Sequence, residues 1–585
     1  MTLDWRAYTY IIRIAVLGAL LISGGLRVST AVAPPAGCDA INLDQGWTHE
    51  QSQEFWFTPQ GSHLMPYSWF LALEVSDPTS QALFHDRSNM DRYGYIWVPP
   101  SPKNPDGLPI GFAKDVAASG DAYLGLTCAA CHTGSLTIAG KQVIVEGGPT
   151  LADFQTFLAE STTALETATT VPAKFDRFSK RVLHNDNPTQ ADVQKLQAQM
   201  KAKLIDLQTR VSENTSPTPF GYGRVDAIGH IFTRVLAQDF NIPSNAKPPY
   251  GPAISAPVSY PFLWDTPQHD LVQWNGSAPN AKLLALGPLG RNVGEVLGVF
   301  GEVEVVPGRK VPLLPFLTKP PEFVSSANIT NLIRLEDIVR TLWSPVWPKN
   351  CLPVADAKTL ARGKKVYEDN CIGCHRILGD PERKQEDRQI TAVLKTLPEV
   401  GTDPTMAMNF STRTAKTGPL EGYPDIIELN TFGPAASAHL VVMASVNGII
   451  LRGVERKEGV PWNVDGILVN PVTEVAEFKR AIAAAATPRY KARPLNGIWA
   501  TAPYLHNGSV PTLLDLLNPT KDRPQVFYVG SREFDPQKVG LVTKEEPGTF
   551  RFDTSPQGNW RNGHEFGTSL SPNEKKDLLE FLKTL

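Results

Sequence analysis

The sequence predicts a mainly α protein folded as two domains, with long loops and additional N-terminal segments. Three observations carry that expectation. A chain of 585 residues is too long for one hydrophobic core. Helical apolar periodicity recurs along it, and one cysteine-histidine pentapeptide occurs once in each half. Hydrophobic residues make up 42% and charged residues 20%, which excludes a disordered chain. With 56 Lys and Arg against 59 Asp and Glu there is no basic surplus, so nucleic acid is excluded as a partner. The 50 prolines and 45 glycines follow no fixed period, which sets aside collagen, coiled coil and solenoid architectures.

Residues 1–33 read as an export signal. Arg6 and Arg13 precede the apolar run Ile14–Leu21, and Ser29, Ala31 and Ala33 supply the small residues, with cleavage after Ala31 or Ala33. A single membrane anchor is the alternative, from a run short of the ~20 residues a span needs. Ala36-Gly37-Cys38 also resembles a lipoprotein site, but Pro35 stands where a branched apolar residue is wanted. From Leu43 to Asp115 the chain is rich in aromatics (Trp47, Phe55-Trp56-Phe57, Trp69-Phe70) and is expected to pack over the first domain.

The pentapeptides are Cys128-Ala-Ala-Cys131-His132 and Cys371-Ile-Gly-Cys374-His375. Two thiols at that spacing add to the two vinyl groups of one haem, and the adjacent histidine reaches under the ring to bind iron. Two covalently bound c-type haems are therefore expected, with Cys128, Cys131, Cys371 and Cys374 as tethers and His132 and His375 as proximal ligands. A thioredoxin-like pair needs no histidine, and a zinc site needs four converging ligands. Cys38 and Cys351 make an even pair in an oxidising compartment, so a disulfide between them is expected.

Val193, Leu196, Met200, Leu204, Leu207 and Val211 step at helical spacing and predict an amphipathic helix over 191–213. A proline-studded stretch from Val306 to Phe323 gives way to a helix over 328–342 that closes before Pro345. This sets the domains at 34–345 and 346–585. Beyond the boundary, Leu360, Gly363, Val366 and Tyr367 share a helix face that leads into Cys371. The last helix opens at Ser571 with the Ser571–Glu574 spacing of a capping box. First and last helices crossing beside a haem is the cytochrome c arrangement, so this half is expected to be a complete cytochrome c domain, and the chain to hold two cytochrome c-like haem domains.

Beyond the haem motifs, three stretches resemble the dihaem cytochrome c peroxidase superfamily, and most closely its rubber-oxygenase-like branch. Gln273-Trp274-Asn-Gly276, followed by Asn292-Val-Gly-Glu295, is similar to the run in which a tryptophan lies between haems and a glutamate sits over the peroxide-binding iron. Arg493 to Ser509, with Thr501, Pro503 and His506, is similar to the second-domain signature. There the histidine supports a haem and the two carbonyls help bind an interdomain calcium. The tail Gly563-His564-Glu-Phe-Gly567 resembles the branch in which a late histidine is the second ligand of the second haem, which implies His564.

The pattern also departs from the peroxidases. No methionine follows His506 in Asn518-Pro-Thr-Lys521, and no histidine lies about twenty residues before Trp274; His269 is read as a surface or propionate-contacting residue. The first iron is therefore expected to be five-coordinate or water-bound. The resemblance implies an exported enzyme that reduces peroxide at the first haem, with electrons from a small cytochrome or cupredoxin passing through the second. Dioxygen chemistry on an unsaturated hydrophobic substrate is the alternative, and plain electron transfer the third. Glu295 is the candidate proton carrier, unless it only caps a helix or pairs with Arg291. Trp274 is a relay or a core residue, and Trp264 lines the pocket or packs. His63, His184, His230 and His439 are read as structural.

Overall fold

Aromatic side chains build the first layer. In the computed structural model, which describes residues 38, 41–238, 255–280, 287–311, 314–319, 321–425, 430–455, 480 and 487–585, the Leu43–Asp115 stretch forms the helices His49–Phe57 and Tyr67–Ala72. Reciprocal Thr48–Gln51 bonds start the first of them. Phe112 meets Tyr95 and Phe157 edge-on, with ring centroids 4.7 and 5.4 Å apart. Behind them lie the helices Phe154–Thr170 and Gln190–Glu213; the second buries Leu196, Met200, Leu204 and Leu207 as the periodicity predicts.

The first pentapeptide sits between strands. It follows a strand, Ala122–Leu126, paired antiparallel with Phe112–Val116, and leads into the hairpin Thr133–Ile138 with Lys141–Glu146. A helix is excluded there by close approach. A Cβ at Gly125 would lie 2.5 Å from the Ser62 carbonyl oxygen, and the amide of Leu126 takes the Ser62 hydroxyl at 3.0 Å.

The C-terminal half does have the crossed helices. Asp356 caps Ala357–Asn370, and the Ser571–Glu574 capping box opens Pro572–Leu582. At the crossing a Cβ on Gly363 would fall 2.0 Å from the Asp577 carbonyl oxygen, so only glycine lets the helices approach. Tyr367 then meets Phe581 at 5.4 Å, and Arg362 pairs with Asp577 at 2.6 Å. The helix expected over 328–342 is Ile329–Arg340, capped by Asn328. Mainly α therefore describes the large elements, with short antiparallel pairs between them; among the described residues no sheet exceeds three strands.

The cores cross residue 345. One joins Leu43, Leu136 and Trp264 to Tyr367, Trp499 and Leu579; another joins Val293, Val296 and Leu332 to Val441 and Ile449. Cys38 and Cys351 form the expected disulfide, with Cα atoms 4.8 Å apart. Among the described residues no helix is long and apolar enough to cross a membrane; residues 1–33, read as signal or anchor, lie outside them.

One buried charge cluster ties the N-terminal segment to the helix Pro172–Leu183. Glu74, 4% exposed, accepts from Lys174 at 3.3 Å, from Arg177 at 2.8 and 2.7 Å, and from Arg181 at 2.9 Å. Burial alone would raise its carboxyl, yet the three cations hold it down to about 2. Its stabilising contribution is therefore present at neutral pH and is lost as pH falls from the ordinary carboxyl range through 2. Glu74→Gln leaves the buried Lys174 without its carboxylate and is expected to cost about 3–5 kcal/mol, measured as a lower urea midpoint.

Candidate haem sites

The second pentapeptide continues directly from a helix. The Cys371 amide donates to the Tyr367 carbonyl at 2.8 Å, and the amides of Cys374 and His375 turn back onto the Cys371 carbonyl at 3.0 and 2.9 Å. That turn puts two free thiols and one imidazole together. His375 Nδ1 faces the Arg493 carbonyl at 2.8 Å and donates to it, which leaves Nε2 as the atom that binds metal.

His564 stands across from it, with ring centroids 6.2 Å apart. Two imidazoles holding one ion between them at about 2.0–2.1 Å place their centroids roughly 6 Å apart, so the pair fits one haem iron. His564 sits in the left-handed region at φ 49°, after Gly563 at φ 75°, where a Cβ would lie 2.2 Å from the Gly401 backbone. Arg523 fixes this loop through the carbonyls of Arg561 at 2.6 Å, Gly563 at 2.7 Å and His564 at 3.3 Å. Burial pushes the imidazolium pKa of His375 down, and burial together with His375 and Arg523 pushes His564 down to about 4. Both rings are neutral at pH 7, the form that ligates.

These residues line a cavity of about 1650 Å³ with Cys371, Cys374, Trp274 and His506. His506 stacks on Tyr490 at 4.1 Å, and its Nε2 lies 2.9 Å from the Tyr490 hydroxyl, which donates to the Asp403 carbonyl at 2.6 Å. That nitrogen is thereby engaged as a donor, so His506 borders the site without ligating through Nε2. Among the described residues no methionine lines this cavity.

The first pentapeptide makes the same turn, with His132 donating to the Cys128 carbonyl at 2.8 Å. His132 lines two adjoining cavities of about 820 and 730 Å³, and burial, opposed by the Pro261 carbonyl, lowers it to about 4. Gln273, Trp274 and Glu295 line both cavities. Glu295 lies on the helix Gly287–Gly298 and accepts from Gln273 Nε2 at 3.1 Å. The pairing with Arg291 is not made, because Arg291 binds Glu336 instead and also reaches Asn280 at 3.3 Å. Burial raises the Glu295 carboxyl, with Gln273 and then Arg291 pulling the other way. Trp274 lines all three cavities, with its indole N–H on the Ser259 carbonyl at 2.8 Å.

A cytochrome c family model matches residues 360–425, and a RoxA-like, cytochrome c-like model matches residues 489–528. The uncharacterized protein y4iJ of Sinorhizobium fredii is 33% identical over 93% of this chain and 93% of its own length. The chain belongs to the y4iJ family. A second uncharacterized protein of that organism, y4iM, is 24% identical over 58% of this chain and 67% of its own length. This y4iJ-family chain is thus a c-type cytochrome of the RoxA-like branch that carries covalently bound haem c.

Other expectations in this y4iJ-family chain resolve differently. Trp264 packs: it is fully buried, stacked on Phe262 at 4.4 Å, and donates to the Asn496 carbonyl at 2.8 Å. His269 is not at the surface; it is 2% exposed, and among the described residues neither ring nitrogen has a partner. His230, read as structural, borders the smaller first-site cavity, yet its Nε2 is packed away without a partner. His63 stacks on Tyr123 at 4.3 Å and His439 on Phe410 at 5.3 Å, while His184 ends a helix. For the implied calcium, no group of three or more His, Cys, Asp or Glu converges among the described residues.

Sequence reading missed Gln273. It holds the left-handed region at φ 68° without being glycine, and the Gly276 amide closes the turn on its carbonyl at 3.2 Å. The one available signal is its place beside Trp274 in a Trp-Asn-Gly turn.

At the second site, His564→Ala is expected to convert a six-coordinate low-spin ferric haem into a high-spin one that takes up cyanide, as seen by absorption and electron paramagnetic resonance. His506→Gln is expected to leave that haem six-coordinate.

Proposed function

We propose that the protein is an exported dihaem c-type cytochrome that reduces hydrogen peroxide at the His132 site, with electrons entering through the His375–His564 site. The observation that carries this reading is the partly buried Glu295 carboxyl, which shares both first-site cavities with His132 and has Gln273 rather than a cation as its partner. Haem iron, when bound, supplies the place for peroxide and the exchange of electrons. The chain's own residues handle protons and position. Glu295, ionised, accepts a proton from the near oxygen of peroxide and returns it to the far one as the O–O bond breaks; two electrons and two protons in all turn one peroxide into two waters. Trp274 stands in the wall common to both sites as the relay. A small reduced cytochrome or cupredoxin meets the second site at its exposed apolar edge, where Ile372 and Phe566 are 45% and 44% exposed. Residues 1–33 direct export to the periplasm or beyond.

A specific observation favours a second reading, an oxygenase acting on an unsaturated hydrophobic substrate. Phe55, Leu263, Leu332, Leu335 and Val339 give the larger first-site cavity an apolar wall, part of it from the N-terminal addition. The RoxA-like match at residues 489–528 supports the same reading. Simple electron transfer is disfavoured because, among the described residues, the only other histidine on the first-site cavities is His230, with Nε2 packed away.

Purified holoprotein mixed with peroxide and a reduced small cytochrome is expected to turn over, while mixing with dioxygen and polyisoprene or an olefinic lipid is expected to leave the substrate unchanged. Glu295→Gln is expected to lower peroxide turnover by roughly 10²–10⁴-fold with haem content unchanged; unchanged turnover removes Glu295 from the mechanism. Because the carboxylate must be ionised and its pKa is raised, turnover should climb with pH on a limb above the ordinary carboxyl range. Gln273→Leu deletes the bond that favours the ionised form, so that limb should move to higher pH in a stopped-flow profile.

A further inference from the structure

The strand Arg489–Ala492 and the residue after it run through the partition between the two sites. Lys491 and Arg493 each line the larger first-site cavity and the second-site cavity. Charges in this partition do not balance. Asp270 pairs with Arg480 and also accepts the amides of Leu271 and Ala392, both at 2.8 Å. Asp265 pairs with Arg388 and accepts from Asn496 at 2.6 Å. Glu336 pairs with Arg291.

Asp270, Asp265 and Glu336 are thus taken, Glu295 on the same cavity accepts from Gln273 at 3.1 Å, and Lys491 and Arg493 remain as two cations against that one carboxyl. Lys491 Nζ has the Leu271 carbonyl at 3.1 Å. The Arg493 guanidinium has the Phe262 and Trp264 carbonyls at 3.0 and 2.6 Å, and its Nε is buried with no partner among the described residues. Two partly satisfied cations facing enclosed space are costly unless an anion meets them there.

A c-type haem, with both vinyl groups spent on cysteines, keeps two propionates as its anionic edge. We propose that Lys491 and Arg493 form one cationic clamp shared by both haems, each of which turns a propionate towards it. This rests on the two-haem reading above and not on its choice of oxidant. The clamp is bound to the rest of the machinery by its main chain: the Lys491 amide donates to the Trp274 carbonyl at 2.8 Å, and the Arg493 carbonyl orients His375 at 2.8 Å. A positive charge there favours the ferrous state of both haems, which carries one positive charge fewer than the ferric state.

The test counts haems by intact mass and measures both midpoint potentials by spectroelectrochemical titration of the holoprotein. Lys491→Gln is expected to keep two haems and lower both potentials, and Lys491→Arg to restore them. Lys395→Gln, which removes a lysine that lines the second cavity and not the first, is expected to leave the first potential unmoved. Two haems with both potentials unchanged, or with only one shifted, overturns the clamp alone; a single haem in the unmodified protein overturns the two-haem reading and the clamp with it. Where Lys491→Gln does not accumulate, infrared difference spectra of the unmodified protein carrying carboxyl-labelled haem decide. Propionate bands should respond when either haem is reduced, and silence at one of them overturns the proposal.

Discussion

A single backbone turn decides where the chemistry of this protein sits. In both pentapeptides the histidine amide folds back onto the first cysteine's carbonyl, at 2.8 and 2.9 Å, and this brings two thiols and an imidazole together whatever lies on either side. The flanking scaffold is then free to differ, and it does: a strand feeds Cys128 and a helix feeds Cys371. Everything the turn cannot supply comes from distant segments. The Arg493 carbonyl sets the tautomer of His375, and the left-handed Gly563–His564 loop, clamped by Arg523, brings in the second imidazole.

The partition between the sites is held by main-chain bonds as much as by side chains. Trp274 donates its indole N–H to the Ser259 carbonyl, the Ser259 amide donates to the His506 carbonyl at 2.8 Å, and the Lys491 amide donates to the Trp274 carbonyl at 2.8 Å. Two stretches far apart in sequence, 259–274 and 491–506, are thereby fixed to one another around one indole. The geometry of the partition follows from backbone groups that point mutations leave in place, whereas its charge follows from side chains that they remove.

What the sequence made legible was local. The pentapeptides, the disulfide partners, the helix over 191–213 and the capping box at Ser571 each depend on residues within a few positions, or on cysteine parity. Glu295 and Trp274 were singled out by resemblance, and the fold brings them to common cavities. Gln273 escaped because its role depends on a left-handed backbone and a partner on another element. The strand before Cys128 escaped because Ala-Tyr-Leu-Gly-Leu has no decisive period, and the contact that fixes it is Gly125 against Ser62. For His269 the surface alternative fails, because its five-residue distance from Trp274 says nothing of the core that closes over it.

The two readings of the first site differ in which of its features each one needs. An apolar wall of Phe55, Leu332 and Leu335 is favourable to fold whatever the reaction, since burying it gains stability. A carboxyl drawn partly out of water into a cavity wall is the opposite, because the lost hydration costs free energy that an amide donor returns only in part. Arg291, the cation that would offset that cost, is committed to Glu336. A feature that opposes folding is better explained by the reaction than one that assists it. Splitting peroxide needs a proton moved between its two oxygens, which an acid with a raised pKa can do; adding dioxygen across a double bond needs no such transfer. Glu295, held by Gln273 and left without its own cation, therefore weighs more heavily than the hydrophobic wall opposite it.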